Sequence, residues 1–230
     1  MTCTRTYRDF TYKEAVFRIC CERFDDATAE IVRQRHLLEN YLDRHPAFGR
    51  SLEPVAALAD APEIARHMAR AARLVGVGPM AAVAGAMAQC AAEAGLRAGA
   101  PEAIVENGGD VYLRAVRPVV VGLYAGAGEL ADRLAFSLRP ADTPIAICSS
   151  SGKMGHSMSL GDCDLAVAVA KDAALADAAA TLAANLVRTE ADVDAALERI
   201  TGIAGIDGVM IVKDDRVGLA GRLPELVKAR

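Results

Sequence analysis

The sequence predicts an α+β fold, with mixed, largely antiparallel sheets packed against Ala-rich helices. Adjacent strand-like runs such as 102–106 and 111–115 are joined by a short turn, which permits only an antiparallel ladder. Helical and strand-like runs are intermingled rather than strictly alternating, which argues against a doubly wound parallel sheet. Two long segments, "PMAAVAGAMAQCAAEAG" and "DAALADAAATLAANLV", are dominated by small apolar residues and read as buried helices.

The chain has 230 residues, 53% hydrophobic and 24% charged, a globular composition long enough to bury a substantial core. Aromatics are only 4%, and Trp is absent, so Ala and Val must build the interior through close backbone approach. The net charge is -4, and the Lys and Arg residues are scattered, which gives nucleic-acid binding little electrostatic support. The six cysteines are Cys3, Cys20, Cys21, Cys90, Cys148 and Cys163; they form no CxxC and no Cys/His cluster with zinc-ligand spacing. The first twenty residues lack an apolar core of the signal-peptide kind, so the expectation is a cytoplasmic chain with reduced thiols.

Along the chain, residues 5–24 alternate as two strands joined near Lys13 and Glu14. Cys20 and Cys21 would then face opposite sides. Thr28–Arg44 is helical, with Ile31, Leu37, Leu38, Tyr41 and Leu42 near one face and Asp25, Asp26 or Thr28 as cap. Residues 45–55 read as a loop punctuated by Pro46, Gly49 and Pro54. Pro62–Val75 is a helix ended by Gly76-Val77-Gly78-Pro79. Pro79 opens a long Ala/Gly helix to about Gly95, where Ala81, Gly85 and Ala88 admit a second backbone or a ligand. The uncharged stretch Leu74–Ala92 is marginal as a membrane span and fits a buried helix better. Gly76, Gly78 and Ala81 mimic a dinucleotide fingerprint, but a helix rather than a strand precedes them. Further strands are read in "EAIVE", "DVYLRA", "PVVVGLYAG", "LAFSLRP", "TPIAIC", "CDLAVAVAK", "DGVMIVKDD" and a final "RVGLAGRL", with helices at Asp172–Val187 and Val193–Ile200.

Three constellations carry chemistry. Asp177, Thr181 and Asn185 recur every four residues on an otherwise apolar helix, one stripe of polar groups. A buried carboxylate needs a cation or donors, and a carboxylate one turn from a hydroxyl offers oxygen ligands to Mg²⁺. The structural alternative is that Asp177 caps a neighbouring loop and Thr181 bonds its own helix backbone. The segment Ser149–Ser157, with Ser150, Ser151, Gly152, Lys153 and His156, offers backbone amides and hydroxyls to phosphate, Lys153 as a point charge, and His156 as an acid–base group. It is equally readable as an exposed loop. "VENGGD" is a hairpin turn in which Gly108 and Gly109 supply positive φ, flanked by Asn107 and Asp110. Cys148 reads as a small buried hydrophobe, with a reactive thiol as the alternative.

In this order, "NGGD", "CSSSG" with His156, and "ADAAAT" resemble the ApbE-type FAD:protein FMN transferases, and more closely the shorter uncharacterised ApbE-like group. The resemblance covers nearly the whole chain and implies a single domain, 1–230, of T-fold-type architecture. It implies Mg²⁺ held partly by Asp177 and Thr181, with Asn107, Gly108, Gly109, Asp110, Ser150, Ser151, Gly152 and Lys153 at the site of a flavin nucleotide, FAD or FMN. It implies a catalytic role for Asp177, beside the acid–base role read for His156. Two stretches depart from the family pattern. Ala82 and Val83 stand where the transferases have lysine and glycine, and "GHSMSLGD" replaces a His-x-x-Asp-Pro segment. The functional expectation is therefore a small nucleotide or other phosphorylated ligand bound with Mg²⁺, with FMN transfer as the reaction. Nucleic acid and membrane are not expected partners. Two alternatives stay open: a non-flavin enzyme of cofactor or sulfur metabolism using His156 and Cys148, and an assembly factor whose sheet edges and small-residue helices serve homo-oligomerisation.

Overall fold

The computed structural model describes residues 4–124, 134–152 and 161–229. Strands β1 (Arg8–Tyr12) and β2 (Ala15–Cys21) form a hairpin, followed by helices α1 (Phe24–Arg44), α2 (Pro46–Arg50), α3 (Glu63–Val75) and α4 (Val83–Arg97). Strands β3 (Ala103–Asn107), β4 (Asp110–Arg114), β5 (Val119–Leu123), β6 (Leu134–Leu138), β7 (Ile145–Ser150) and β8 (Leu165–Ala170) come next. Helix α5 (Ala173–Leu186), helix α6 (Val193–Thr201) and strands β9 (Ile206–Lys213), β10 (Arg216–Gly221) and β11 (Glu225–Lys228) complete the order.

An eight-stranded sheet runs β1-β2-β3-β4-β7-β8-β9-β10, and a three-stranded sheet runs β11-β6-β5. Every pairing among the described strands is antiparallel. The helices cover one face of the large sheet and the small sheet covers the other, so each face buries its own hydrophobic cluster. Strand β8, "LAVAVA", shows how sequence sorts the two faces. Ala166, Ala168 and Ala170 point at the helices, whereas Leu165, Val167 and Val169 point at the small sheet. Short side chains on the helix side let Ala-rich α5 settle close to the sheet, and branched ones fill the wider space between sheets. Cys20 and Cys21 do face opposite ways: Cys20 joins the inter-sheet cluster and Cys21 packs toward the helices. No described cysteine forms a disulfide.

Several boundaries differ from those expected. Helix α1 begins at Phe24 rather than Thr28, because its buried stripe Phe24, Ala27, Ile31, Gln34, Leu38 and Tyr41 starts there. Arg23 holds the cap position without a side-chain cap, while Asp25 and Asp26 lie in the first turn, where the helix dipole favours them. The 45–55 loop contains the short helix α2, which buries Phe48. Strand β10 is not the last: β11, short and flanked by charges, crosses to the small sheet beside β6.

Pro79 opens only a 3-10 turn through Ala82, and α4 proper starts at Val83. Gly76 ends α3 in the left-handed conformation at φ 92°, so the glycines there terminate a helix and build no dinucleotide turn. Residues of α4 and α5 lie in the helix-side core. Among the described residues no single helix is long and apolar enough to cross a membrane; α3 and the 79–97 segment pass together only as a pair bent by 104°.

Candidate functional site

The hairpin turn Asn107-Gly108-Gly109-Asp110 has φ of 63° at Gly108 and 99° at Gly109, and Asn107 pairs with Asp110 across the ladder. Two central residues at positive φ make the tight turn that the twist of the strands demands. A side chain at Gly109 would also meet Ser149 Oγ at 2.6 Å. The Ser149 hydroxyl donates to the Gly109 carbonyl at 3.0 Å, and the Ser149 amide donates to Asp110 Oδ1 at 3.2 Å. The turn is thus tied to the end of β7.

Alternation along β3 and β4 sends Asn107 and Asp110 to the helix face, the side that carries Val105 and Tyr112. Both are buried there, and so is Asp177 of α5. Gly85 of α4 donates its amide to Asp177 Oδ2 at 2.9 Å. Ala84 contributes a second backbone donor to the same carboxylate. These are the N–H groups of the first turn of α4, whose own cap residue, Ala82, has no side chain able to accept them. Asp177 does act as a cap, as the structural alternative expected, but on the first turn of a helix rather than on a loop. The alternative for Thr181 is not realised, since among the described residues its hydroxyl has no hydrogen-bond partner. Thr181 is half-buried one turn beyond Asp177.

A cap does not settle the electrostatics, because a second carboxyl lies beside the first. Burial and then the Asp177 charge hold Asp110 well above the usual carboxylate range, and the Ser149 amide offsets this only in part. Burial likewise pushes Asp177 up to about 7 against the two amides that stabilise its anion. Among the described residues neither carboxyl group has a cationic partner, and no group of three or more His, Cys, Asp or Glu side chains is arranged so that it could hold a metal ion. Cys148, between them on β7, is fully buried with its thiol near the Ala173 carbonyl at 3.5 Å. Burial and the two neighbouring carboxyl groups raise its pKa well above that of a free thiol, which favours the protonated form and packing as a small apolar group.

Ser150 ends β7, and Ser151, Gly152 and Asp162 are held by hydrogen bonds. The Gly152 amide donates to Cys163 O at 2.8 Å, and the Asp162 amide to Val187 O at 2.9 Å. A side chain at Gly152 would collide with the Gly161 carbonyl, and one at Gly161 with the Ala184 carbonyl of α5. Lys153 and His156 lie outside the described residues. The structure therefore brings together Asn107, Asp110 and Asp177, and places Thr181 on α5, Ser150 at the end of β7, and Ser151 and Gly152 just beyond it.

Three participants escaped the sequence reading. Gln89 Oε1 accepts from the Ala173 amide at 2.8 Å, so α4 caps α5 as α5 caps α4. Asp172 caps α5 as well, through the Leu175 amide at 3.1 Å, and pairs with His67 Nε2 at 2.8 Å. The third is the donor role of the Ala84–Gly85 peptide, although Gly85 itself was expected to admit a second backbone and does lie against the Ala173 carbonyl. Of the three roles, that of Asp172 had a readable signal, an acidic residue just before an apolar helix.

The sequence pattern of the family described as "AbpE bacteria" matches residues 18–211. The chain is 40% identical over 227 residues to a UPF0280 protein of Archaeoglobus fulgidus, covering 96% of this chain and 94% of the relative. It is 43% identical over 215 residues to a UPF0280 protein of Methanopyrus kandleri, covering 91% and 86%. Among solved structures, the flavin transferase ApbE from Vibrio cholerae (H257G mutant) superposes with a TM-score of 0.59 at 14% identity, over 95% of this chain and 97% of that one. The ApbE protein of Thermotoga maritima gives 0.55 at 13%, over 91% and 94%. Those two likenesses establish a shared fold. With the family pattern spanning most of the sequence and archaeal relatives covered nearly end to end, the chain belongs to the AbpE bacteria family, within the ApbE-like superfamily.

Proposed function

We propose that the whole chain, 1–230, acts as one ApbE-like unit that binds a phosphorylated nucleotide together with Mg²⁺ held by Asp177 and Thr181. The single observation that carries this reading is the pair of buried carboxyl groups, Asp110 and Asp177, with no cationic partner among the described residues. Two carboxylates cannot both ionise cheaply in such a place unless a positive charge joins them. The donor set fits a hard divalent ion: carboxylate oxygens, the unengaged Thr181 hydroxyl, and a thiol held protonated that offers no soft ligand. When bound, Mg²⁺ supplies positive charge that offsets the charge of a pyrophosphate.

The chain's own residues do the rest. Asp177 is oriented by the Ala84 and Gly85 amides, which fix one edge of its carboxylate. Gly108 leaves the turn open, with no atom within 4 Å of where a side chain would begin, so the backbone there is accessible to a ligand. Ser150, Ser151 and Gly152 immediately precede Lys153 and His156 in the sequence. These two are assigned on sequence alone, as a phosphate contact and an acid–base group.

The reaction we assign is transfer of FMN from FAD. The pyrophosphate P–O bond to AMP breaks, a P–O bond to a threonine hydroxyl of a target protein forms, and the hydroxyl proton is taken up by a base. The named activity of the Vibrio cholerae structural relative supports this choice. Purified protein incubated with FAD, Mg²⁺ and a threonine-bearing acceptor should release AMP and yield flavin-labelled product, and Asp177→Ala should do neither. Failure of the wild-type protein to bind FAD or release AMP would sink the assignment.

A further inference from the structure

We propose that Asn107 is a positioning residue of this site rather than a ligand-contacting one: it sets the Asp177 carboxylate through the peptide group that joins Ala84 to Gly85. The inference rests on the cation reading of Asp177. Asn107 Nδ2 donates to the Ala84 carbonyl at 3.2 Å, and Asp177 Oδ2 accepts from the Gly85 amide at 2.9 Å. That carbonyl and that amide belong to the same planar unit. The plane is gripped at both ends, and rotating it breaks one bond or the other.

The grip has a steric side. A Cβ on Gly85 would collide with the Ala173 carbonyl and come within 2.9 Å of Asp177 Cβ, so the peptide is wedged against α5 with no side chain between them. Asn107 itself is only 9% exposed, and one of its two amide hydrogens is committed to the Ala84 oxygen. Only the amino end of the side chain can donate to a carbonyl, which fixes the amide orientation. The hairpin turn thus acts on the site from behind, as the partner of a partner of the cation ligand. Removing groups of that kind typically lowers metal affinity roughly 10–100-fold.

The test is a Mn²⁺ titration followed by electron paramagnetic resonance. Wild type, Asn107→Ala and the nearly isosteric Asn107→Leu are compared well below the melting temperature of each, with His67→Ala as a variant perturbed away from the site. The expected result is Mn²⁺ binding about 10–100-fold weaker in both Asn107 variants and unchanged in His67→Ala. Affinities within twofold of wild type in both Asn107 variants would overturn the inference while leaving the cation site standing. A wild-type protein that takes up no Mn²⁺ would overturn both. Should the Asn107 variants not fold, amide NMR of the wild type decides. Mg²⁺ should move the Gly85 backbone amide and the Asn107 side-chain NH₂ signals together, and a stationary Asn107 signal would refute the link.

Discussion

Asp172 and Asp177 lie little more than one helical turn apart on α5, and both accept backbone amides at the start of a helix, yet their environments push them in opposite directions. At Asp172 burial opposes ionisation, but His67 and the Leu175 and Ala174 amides outweigh it and hold the carboxyl below its usual range. At Asp177 burial wins over the Gly85 and Ala84 amides and raises it to about 7. The difference is a compensating partner: Asp172 faces the His67 imidazole, whereas burial at Asp177 meets no cationic group among the described residues, and the Asp177 charge in turn helps to hold Asp110 up. The cap of α5 is electrostatically complete. One turn further on, Asp177 and Asp110 carry more negative charge than the described residues offset.

The largest way to break this contrast is to remove the Asp177 carboxylate. With Mg²⁺ at about a hundred times its dissociation constant, wild type should gain about 2.7 kcal/mol of stability, read as a rise in melting temperature, and Asp177→Ala should gain nothing. Next comes Gly85→Ala, which drives a methyl group into the Ala173 carbonyl and Asp177. Urea unfolding should show a loss of about 1–3 kcal/mol, with cation binding weakened as well.

Acidity sharpens the comparison further. A carboxyl raised on folding stabilises the protein below its unfolded pKa, and that stability is lost as pH rises through the folded value. Metal-free protein should therefore lose stability as pH rises through about 7, because Asp177 ionises there. Mg²⁺ or Asp177→Asn should flatten that loss, and a loss unaffected by either would assign it elsewhere. Asp172 has the opposite sign: its lowered pKa gives stability above the unfolded value that disappears as pH falls through the folded one, in the acid limb below about pH 4. The smallest effect is expected from His67→Ala. Its partner is partly exposed, so the loss should be a few tenths to about 1 kcal/mol by thermal unfolding, with Mg²⁺ affinity unchanged.

What the sequence disclosed follows from how local each signal is. The hairpin at Asn107–Asp110 was legible because two adjacent glycines dictate a turn type, and the stripe of Asp177, Thr181 and Asn185 because helical spacing is a property of one segment. Strand β8 was legible as a strand, but the sorting of its Ala and Val onto two different packed faces needed the second sheet. The start of α4 was misplaced at Pro79 because its real cap is Asp177, nearly a hundred residues away, and no cap signal exists near Ala82. Gln89 was invisible for the same reason: a glutamine in an Ala-rich helix has no local mark of the amide it accepts from α5. Asp110 was readable as a turn residue, while its pairing with Asp177 depends on β4 and α5 being stacked.

Asp177 as a cation ligand is tested most directly by calorimetric titration of Mg²⁺ into the purified protein. Wild type should bind one Mg²⁺ per chain, Thr181→Val should bind it more weakly, and Asp177→Asn, which keeps a side-chain oxygen for the Gly85 amide but loses the charge, should not bind it. Equal binding by wild type and Asp177→Asn, or no binding by wild type even with FAD present, would contradict the account.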